Sequence, residues 1–404
     1  MNDKLSEQVR LLLEEPPTNE DGPYSLPKNG YQACMDRPRI EQLGVSPLLD
    51  TLTQLGVWPG PLQSSTWSPD SNIHWWDIMY TLRGMGLSSD VLINFSVSTD
   101  LRNSSQHIMS LDQPELGLAR EFLARGLTDP VVAGYRAFML EVFGLLGVEP
   151  SLAMESVNQV LEFEMRLANI TMSREMRRDP NHQYNPMPIR ALTNLDPATP
   201  WLEYISTILG RDHGNLTSDD LVVVGNPDYI SNLRKLIEDT PLNVQINYII
   251  WRISAASLSY LNDRAETVAF HFSSLLSGLT QRPPRWRKCV GEVSSALAPL
   301  VGSMYVQRYF PEMSRNTAVE MVDNIRDTFI QSLDTVEWMD PVTRDRAKDK
   351  ARAMQEYIGY PKELLDMDKL AELYSGLEVG PVSYIGNGLN LSRYHMNYAF
   401  SKLR

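Results

Sequence analysis

The strongest constraint in this chain is a helical period of apolar residues that returns in segment after segment. In "DPVVAGYRAFMLEVFGLLGVEP", Val131, Val132, Tyr135, Phe138, Val142, Leu145 and Leu146 recur at three- and four-residue steps, with Asp129-Pro130 at the start and Pro150 at the end. One face of such a helix has to be buried. The same period runs through "SLAMESVNQVLEFEMRLANIT" and "RNTAVEMVDNIRDTFIQSLDTVEWM", where Ala318, Met321, Val322, Ile325, Phe329 and Leu333 form the stripe. Both read as packing helices whose methionines fill a core. "DPVTRDRAKDKARAMQEYIGYP" reads as a capped helix, with Asp340 at the N-cap, Pro341 at the first position, Ala347, Ala351, Met354 and Ile358 on one side, and Gly359 and Pro361 as the stop. Its Arg344, Arg346, Lys348, Lys350 and Arg352, interleaved with acids, read as a solvated face.

One stretch changes period. In "DVLINFSVSTD", Val91, Ile93, Phe95 and Val97 alternate with Leu92, Asn94, Ser96 and Ser98, which is the pattern of a half-buried strand. "QHIMSLDQP" can return as its partner after a loop near Asp100 to Ser105, giving a hairpin at about residues 90–113 with Asn94 pointing outward and Asn103 in the loop. The expected fold is mainly α, a multi-helix lobe with a small β-hairpin. Proline- and glycine-containing breaks at "EEPPTNEDGPYSLPKNG" (Glu14 to Gly30), "VWPGPLQSS" and "GLEVGPVSYIGNG" mark the expected loops.

Composition removes several function classes. Fifty acidic residues against 37 basic ones give a net charge of −13, spread along all 404 residues, which argues against phosphate-backbone binding; no nucleic-acid partner is expected. The most apolar stretch, "VQINYIIWRISAASLSYL", is broken by Gln245, Asn247 and Arg252, so it reads as a buried helix and no membrane segment is expected in this chain. The opening "MNDKLSEQVRLLLEEP" has no basic region followed by an apolar one, so no signal peptide or anchor is read there. Five acceptor sequons pull toward the secretory route: Asn94-Phe-Ser, Asn103-Ser-Ser, Asn169-Ile-Thr, Asn215-Leu-Thr and Asn390-Leu-Ser.

Catalytic patterns are missing. His74, His107, His182, His213, His271 and His395 are far apart, and no HExxH, CxxC, G-x-S-x-G elbow, P-loop or dinucleotide motif occurs. "HWWD" at His74 to Asp77 reads as core plus a hydrogen-bonded imidazole, and "RDHG" around His213 as a helix end or loop. Asp366 with Asp368, and Glu162 with Glu164, lie in polar surroundings that give no reason for one carboxyl to titrate high. Cys289, within "RPPRWRKCVGEV", is left open as a reactive thiol beside basic residues, a metal ligand or half of a crosslink.

Several stretches together resemble the N-terminal helical region of the neprilysin and endothelin-converting-enzyme family of zinc metalloendopeptidases. They are "YQACMDRPRIEQLGVSPLLDTLTQLGVWP" (Tyr31 to Pro59), "DQPELGL" (Asp112 to Leu118), "NYIIWRI" (Asn247 to Ile253), "RWRKCV" (Arg285 to Val290), "GSMYVQRYF" (Gly302 to Phe310) and "VEWMDPVTRDRAKDKARAMQEYIGYP" (Val336 to Pro361), in family order. The resemblance implies a substrate-gating lobe over residues 1–361 that covers a catalytic lobe and admits short peptides, with 362–404 as a connector toward that lobe. It implies zinc in the complete enzyme, but the family's HExxH helix, its downstream glutamate and its Asn-Ala-Tyr segment fall past Arg404. No catalytic or metal residue therefore carries over, and this chain is expected to bind no cofactor. It also implies that Cys34 and Cys289 are bonded, in an extracellular or cell-surface protein, an even count of two being compatible with an oxidising compartment.

The first expectation is thus the gating lobe of a neprilysin-like peptidase, an incomplete chain inactive by itself, whose partners are peptide substrates and the catalytic lobe of the same polypeptide. The alternatives are a stand-alone secreted peptide-binding protein without catalysis, and an intracellular helical scaffold with two free cysteines.

Overall fold

An acidic or amide side chain followed by proline starts several of the longest helices, at the points where the apolar period begins. The computed structural model describes residues 2–16, 22–57, 72–210 and 216–403. The chain divides into two compact units, Met1–Met35 with Pro283–Val382, and Asp36–Arg282 with Ser383–Arg404. The first unit opens with α1 (Asn2–Glu14) and α2 (Ser25–Met35). The loop expected from Glu14 to Gly30 is therefore helical from Ser25 onward, and residues 17–21 lie outside the described residues.

The second unit contains α3 (Trp75–Met85), β1 (Asn94–Thr99), β2 (His107–Asp112), α4 (Pro130–Leu145) and α5 (Pro150–Ile170). It continues through β3 (Asn185–Pro188), α6 (Trp201–Leu209), β4 (Leu221–Val224), α7 (Pro227–Glu238), α8 (Leu242–Ser257) and α9 (Asp263–Ser277). Asp129 caps α4 by accepting from Val131 N at 2.8 Å, Glu149 caps α5 from Ser151 N at 2.9 Å, and Asn226 caps α7 from Tyr229 N at 3.1 Å. Each such cap stabilises its helix by about 1 kcal/mol.

The core of this unit lies where α4, α5 and α8 meet. Val132, Tyr135, Phe138, Met139, Val142 and Phe143 are the buried face of α4, as its period requires. Helix α8 is buried on nearly every side, from Val244 to Ile253, which is why its sequence is apolar almost throughout. From α9, Phe272 stacks on Phe138 at 4.9 Å and meets Tyr135 at 5.3 Å.

The expected hairpin is present but belongs to a larger sheet. Four strands run in the order β1-β2-β4-β3, with β1–β2 and β3–β4 antiparallel and β2–β4 parallel. Register places Phe95 opposite Leu111 and Val97 opposite Met109. The central strand β4 buries Val222, Val223 and Val224. Pairing begins at Asn94 rather than Val91, because Val91, Leu92 and Ile93 form a buried turn; Asn94 lies on the face opposite buried Phe95 and is half-buried. No alternation could announce β3, whose four residues include two prolines.

The chain then returns to the first unit with α10 (Arg285–Ala296), α11 (Ala298–Tyr309), α12 (Glu312–Ser332) and α13 (Pro341–Arg352). Val9, Leu12 and Leu13 of α1 and Val290, Val293, Leu300 and Val301 of α10 and α11 are buried apolar residues of this unit. Tyr24 shares a 2.7 Å hydrogen bond with Ser303. The axes of α10 and α11 turn by 108°, and among the described residues no single helix is long and apolar enough to cross a membrane. Asp340 caps α13 from Thr343 N at 2.9 Å, but the helix stops at Arg352 and not at Gly359. The first unit runs on past residue 361 to Val382. The short helix Met367–Leu373 stays in the first unit, while α14 (Tyr384–Phe400) joins the second, where Phe400 meets Phe95 at 5.2 Å.

Candidate functional site

Cys34 on α2 and Cys289 on α10 form a disulfide with Cα atoms 5.7 Å apart, 255 positions from each other in sequence. Both are buried, so Cys289 is neither a reactive thiol nor a metal ligand. The basic neighbours have structural work. Arg285 donates to the Cys34 carbonyl at 2.8 Å, and Trp286 lies beneath two guanidinium groups, Arg10 at 5.1 Å and Arg287 at 5.3 Å. Beside them Tyr31 donates to Glu14 at 2.8 Å, and burial followed by this bond pushes its phenol up to about 12. Both cysteines lie close in sequence to the points where the chain leaves the first unit and re-enters it.

In the second unit the stretch "DQPELGL" is a set of latches. Asp112 takes two hydrogen bonds from Arg177, at 3.0 and 2.5 Å. Gln113 accepts from Met172 N at 2.7 Å and from Asn226 at 3.0 Å, and donates to the Met172 carbonyl at 3.2 Å. Gly117 donates its N–H to Glu164 at 2.7 Å, and a Cβ at this position would stand 2.0 Å from the Tyr135 hydroxyl, so only glycine allows the approach.

Glu164 corrects the sequence reading of the Glu162–Glu164 pair. Its side chain is fully buried, 0% exposed, while Glu162 faces solvent. It accepts from Tyr135 at 2.8 Å, and Tyr135 in turn accepts from Trp251 Nε1 at 3.0 Å, so one polar chain joins α5, α4 and α8. Burial raises the Glu164 carboxyl above the usual range, and the Arg252 guanidinium acts against that rise. Arg252 donates to Tyr248 at 2.9 Å and to the Glu115 carbonyl at 2.7 Å. With no exposed surface, Glu164 positions three helices and meets no substrate. A signal did exist in the sequence: Glu164 falls on the buried face of α5 with Val157, Val160, Leu161 and Leu167.

A second correction concerns α12, read as a packing helix. None of its 21 residues is buried. Met321, Ile325 and Phe329 are 60, 64 and 51% exposed, and Met313 ahead of them is also exposed. With Thr317, Glu320, Asn324 and Thr328, Met321 and Ile325 make up one open face of the helix. Only Leu333, beyond the helix end, reaches the interior.

The remaining expected residues do not converge. Asn103 sits in the β1–β2 loop, Asn169 in the last turn of α5, Asn94 at the start of β1 and Asn390 within α14; Asn215 and His213 lie outside the described residues. His74 opens α3, where its N–H donates to Asp77 at 2.9 Å and its ring stacks on Trp76 at 4.4 Å. Trp75 is core. Among the described residues no group of three or more His, Cys, Asp or Glu side chains is arranged to hold a metal ion.

A family model described as "Peptidase family M13" matches residues 1–361. The chain is similar to Neprilysin-2 of Drosophila melanogaster, 34% identical over all of this chain and 54% of that protein. It is also similar to membrane metallo-endopeptidase-like 1 of Homo sapiens, 30% identical over all of this chain and 53% of that one. The fold is shared with the zinc metalloprotease ZMP1 of Mycobacterium tuberculosis in its open state, at a TM-score of 0.80 and 21% identity, covering all of this chain and 59% of that one. The chain thus spans about half the length of the curated relatives it matches. A mainly helical fold, a match over residues 1–361 and relatives aligned from end to end of this sequence together show that the chain belongs to peptidase family M13.

Proposed function

We propose that this chain forms the substrate-gating, non-catalytic region of a zinc metalloendopeptidase acting on short extracellular peptides, with the reaction carried by polypeptide other than these residues. The observation that carries the reading is the uncovered apolar stripe of α12 in a chain that matches only about half of its relatives. A soluble monomer seldom leaves so continuous a row of large apolar side chains in water, and covering Met321, Ile325 and Phe329 is the simplest use for them. Zinc, which the family implies, finds no donor set among the described residues, so no step of its chemistry is assigned to this chain. The Cys34–Cys289 bond supports an extracellular or cell-surface location, since such bonds persist in oxidising compartments.

The test is cleavage of a fluorogenic short peptide by the purified chain, with added zinc and with a chelator. The expected result is no cleavage by the chain alone, and chelator-sensitive cleavage when the half of Neprilysin-2 that the chain does not match is co-expressed with it. Zinc-dependent cleavage by the chain alone overturns the reading. Tight peptide binding without any association with that half supports a stand-alone binding protein instead.

A further inference from the structure

The geometry points to Asn103 as the attachment site of an N-linked oligosaccharide, chosen among the sequons by the shape of the β1–β2 loop. Asn103 is exposed, and its side-chain oxygen accepts from both the hydroxyl and the N–H of Ser105, at 2.6 and 3.3 Å. The acceptor amide and the sequon hydroxyl are therefore already engaged with each other, while Asn103 Nδ2 makes no hydrogen bond among the described residues. Accepting those bonds at oxygen withdraws electron density from the amide and eases loss of a proton from Nδ2.

The loop is built locally. Asp100 N donates to the Gln106 carbonyl at 3.0 Å, Gln106 N donates to the Asn103 carbonyl at 3.1 Å, and the Asp100 carboxylate accepts from Arg102 N at 2.9 Å and from Gln106 at 3.0 Å. Contacts between neighbours this close in sequence can form on a nascent chain, before distant parts of the protein exist. Leu101, 75% exposed at the same tip, gains a polar cover from a glycan two residues away.

The other described sequons lack this arrangement. At Asn169 the sequon hydroxyl is spent, because buried Thr171 donates it to the Ala168 carbonyl at 2.7 Å. Asn94 and Ser96 are half-buried in β1, paired with Asp112 and Ser110. Asn390 is held within α14, where it accepts from Arg393 at 2.9 Å.

The donor is a lipid-pyrophosphate-linked oligosaccharide of the secretory lumen, a compartment the disulfide already implies. The bond from C1 of the first sugar to the pyrophosphate oxygen breaks, the bond from C1 to Asn103 Nδ2 forms, and Nδ2 gives up one proton as the lipid pyrophosphate leaves. Nothing is oxidised or reduced.

The experiment is expression of the full chain through a eukaryotic secretory pathway, followed by enzymatic release of N-glycans in 18O-water and peptide mapping. Most molecules are expected to carry 18O-labelled Asp at position 103, and both Asn103→Gln and Ser105→Ala are expected to lower the intact mass by one glycan. Recovery of the Asn103 peptide as unmodified asparagine overturns the inference, whether or not the two cysteines are oxidised. Mapping of the unsubstituted chain decides the matter even if a variant is poorly secreted. The result is independent of the gating role.

Discussion

Glu164 holds a carboxyl without exposed surface between the Gly117 N–H and the Tyr135 hydroxyl. Glu164→Ala leaves the buried Tyr135 hydroxyl without its acceptor and removes the partner of the Gly117 N–H, and an expected loss of about 3 kcal/mol should be seen in urea unfolding. Glu164→Gln keeps an acceptor and should lose only about 1 kcal/mol. The pH dependence separates the two effects. Because burial raises the folded carboxyl above its unfolded value, the folded state binds the proton more tightly in the interval between them. This group's contribution to stability is therefore present at low pH and is lost as pH rises from about 4 through the raised value. Unfolding of the two proteins compared over that interval should show the wild type losing ground to Glu164→Gln as pH increases; parallel curves would exclude a raised carboxyl. The sequence does announce the residue, but only when Glu164 is placed on the helix face it shares with Val160 and Leu167. Judged by its sequence neighbours, it resembles Glu162, which is solvated.

The α12 stripe belongs to the scale of a whole element. Periodicity identified the apolar face correctly, since Met321, Ile325 and Phe329 do lie on one side, but a period states only that a face is apolar and never what covers it. The double substitution Ile325→Asp with Phe329→Asp is expected to change the stability of the isolated chain by no more than about 0.5 kcal/mol. The same pair should abolish association with the co-expressed half of Neprilysin-2 in size-exclusion chromatography. A large loss of stability would show that the face is already covered within this chain. The sheet shows the opposite limit. The β1–β2 hairpin was legible because its side chains alternate between faces, whereas β3 and β4 are four residues long and their pairing is fixed by residues far away in sequence.

At the scale of the molecule, the first unit is discontinuous, assembled from the first 35 residues and from residues 283–382. A linear reading has no means of detecting this, because no local pattern records that α1 and α2 pack with α10 and α11. Only the cysteine pairing implied by the family resemblance linked the two stretches. Replacing both cysteines by serine is expected to lower the stability of the first unit by about 2 to 4 kcal/mol, short of the roughly 5 kcal/mol that chain entropy gives for so long a loop. Urea unfolding of the oxidised wild type against the double variant measures it, and coincident curves would mean that the bond constrains nothing. The same bond sets a schedule for the ribosome. At roughly 5 to 20 residues per second, the 255 residues separating Cys34 from its partner take about 13 to 50 seconds to synthesise. Throughout that interval Cys34 is a thiol without its proper mate, and α1 and α2 have no α10 to fold against. Most of the second unit can meanwhile complete itself from a continuous run of chain, so α1 and α2, though made before it, settle after it.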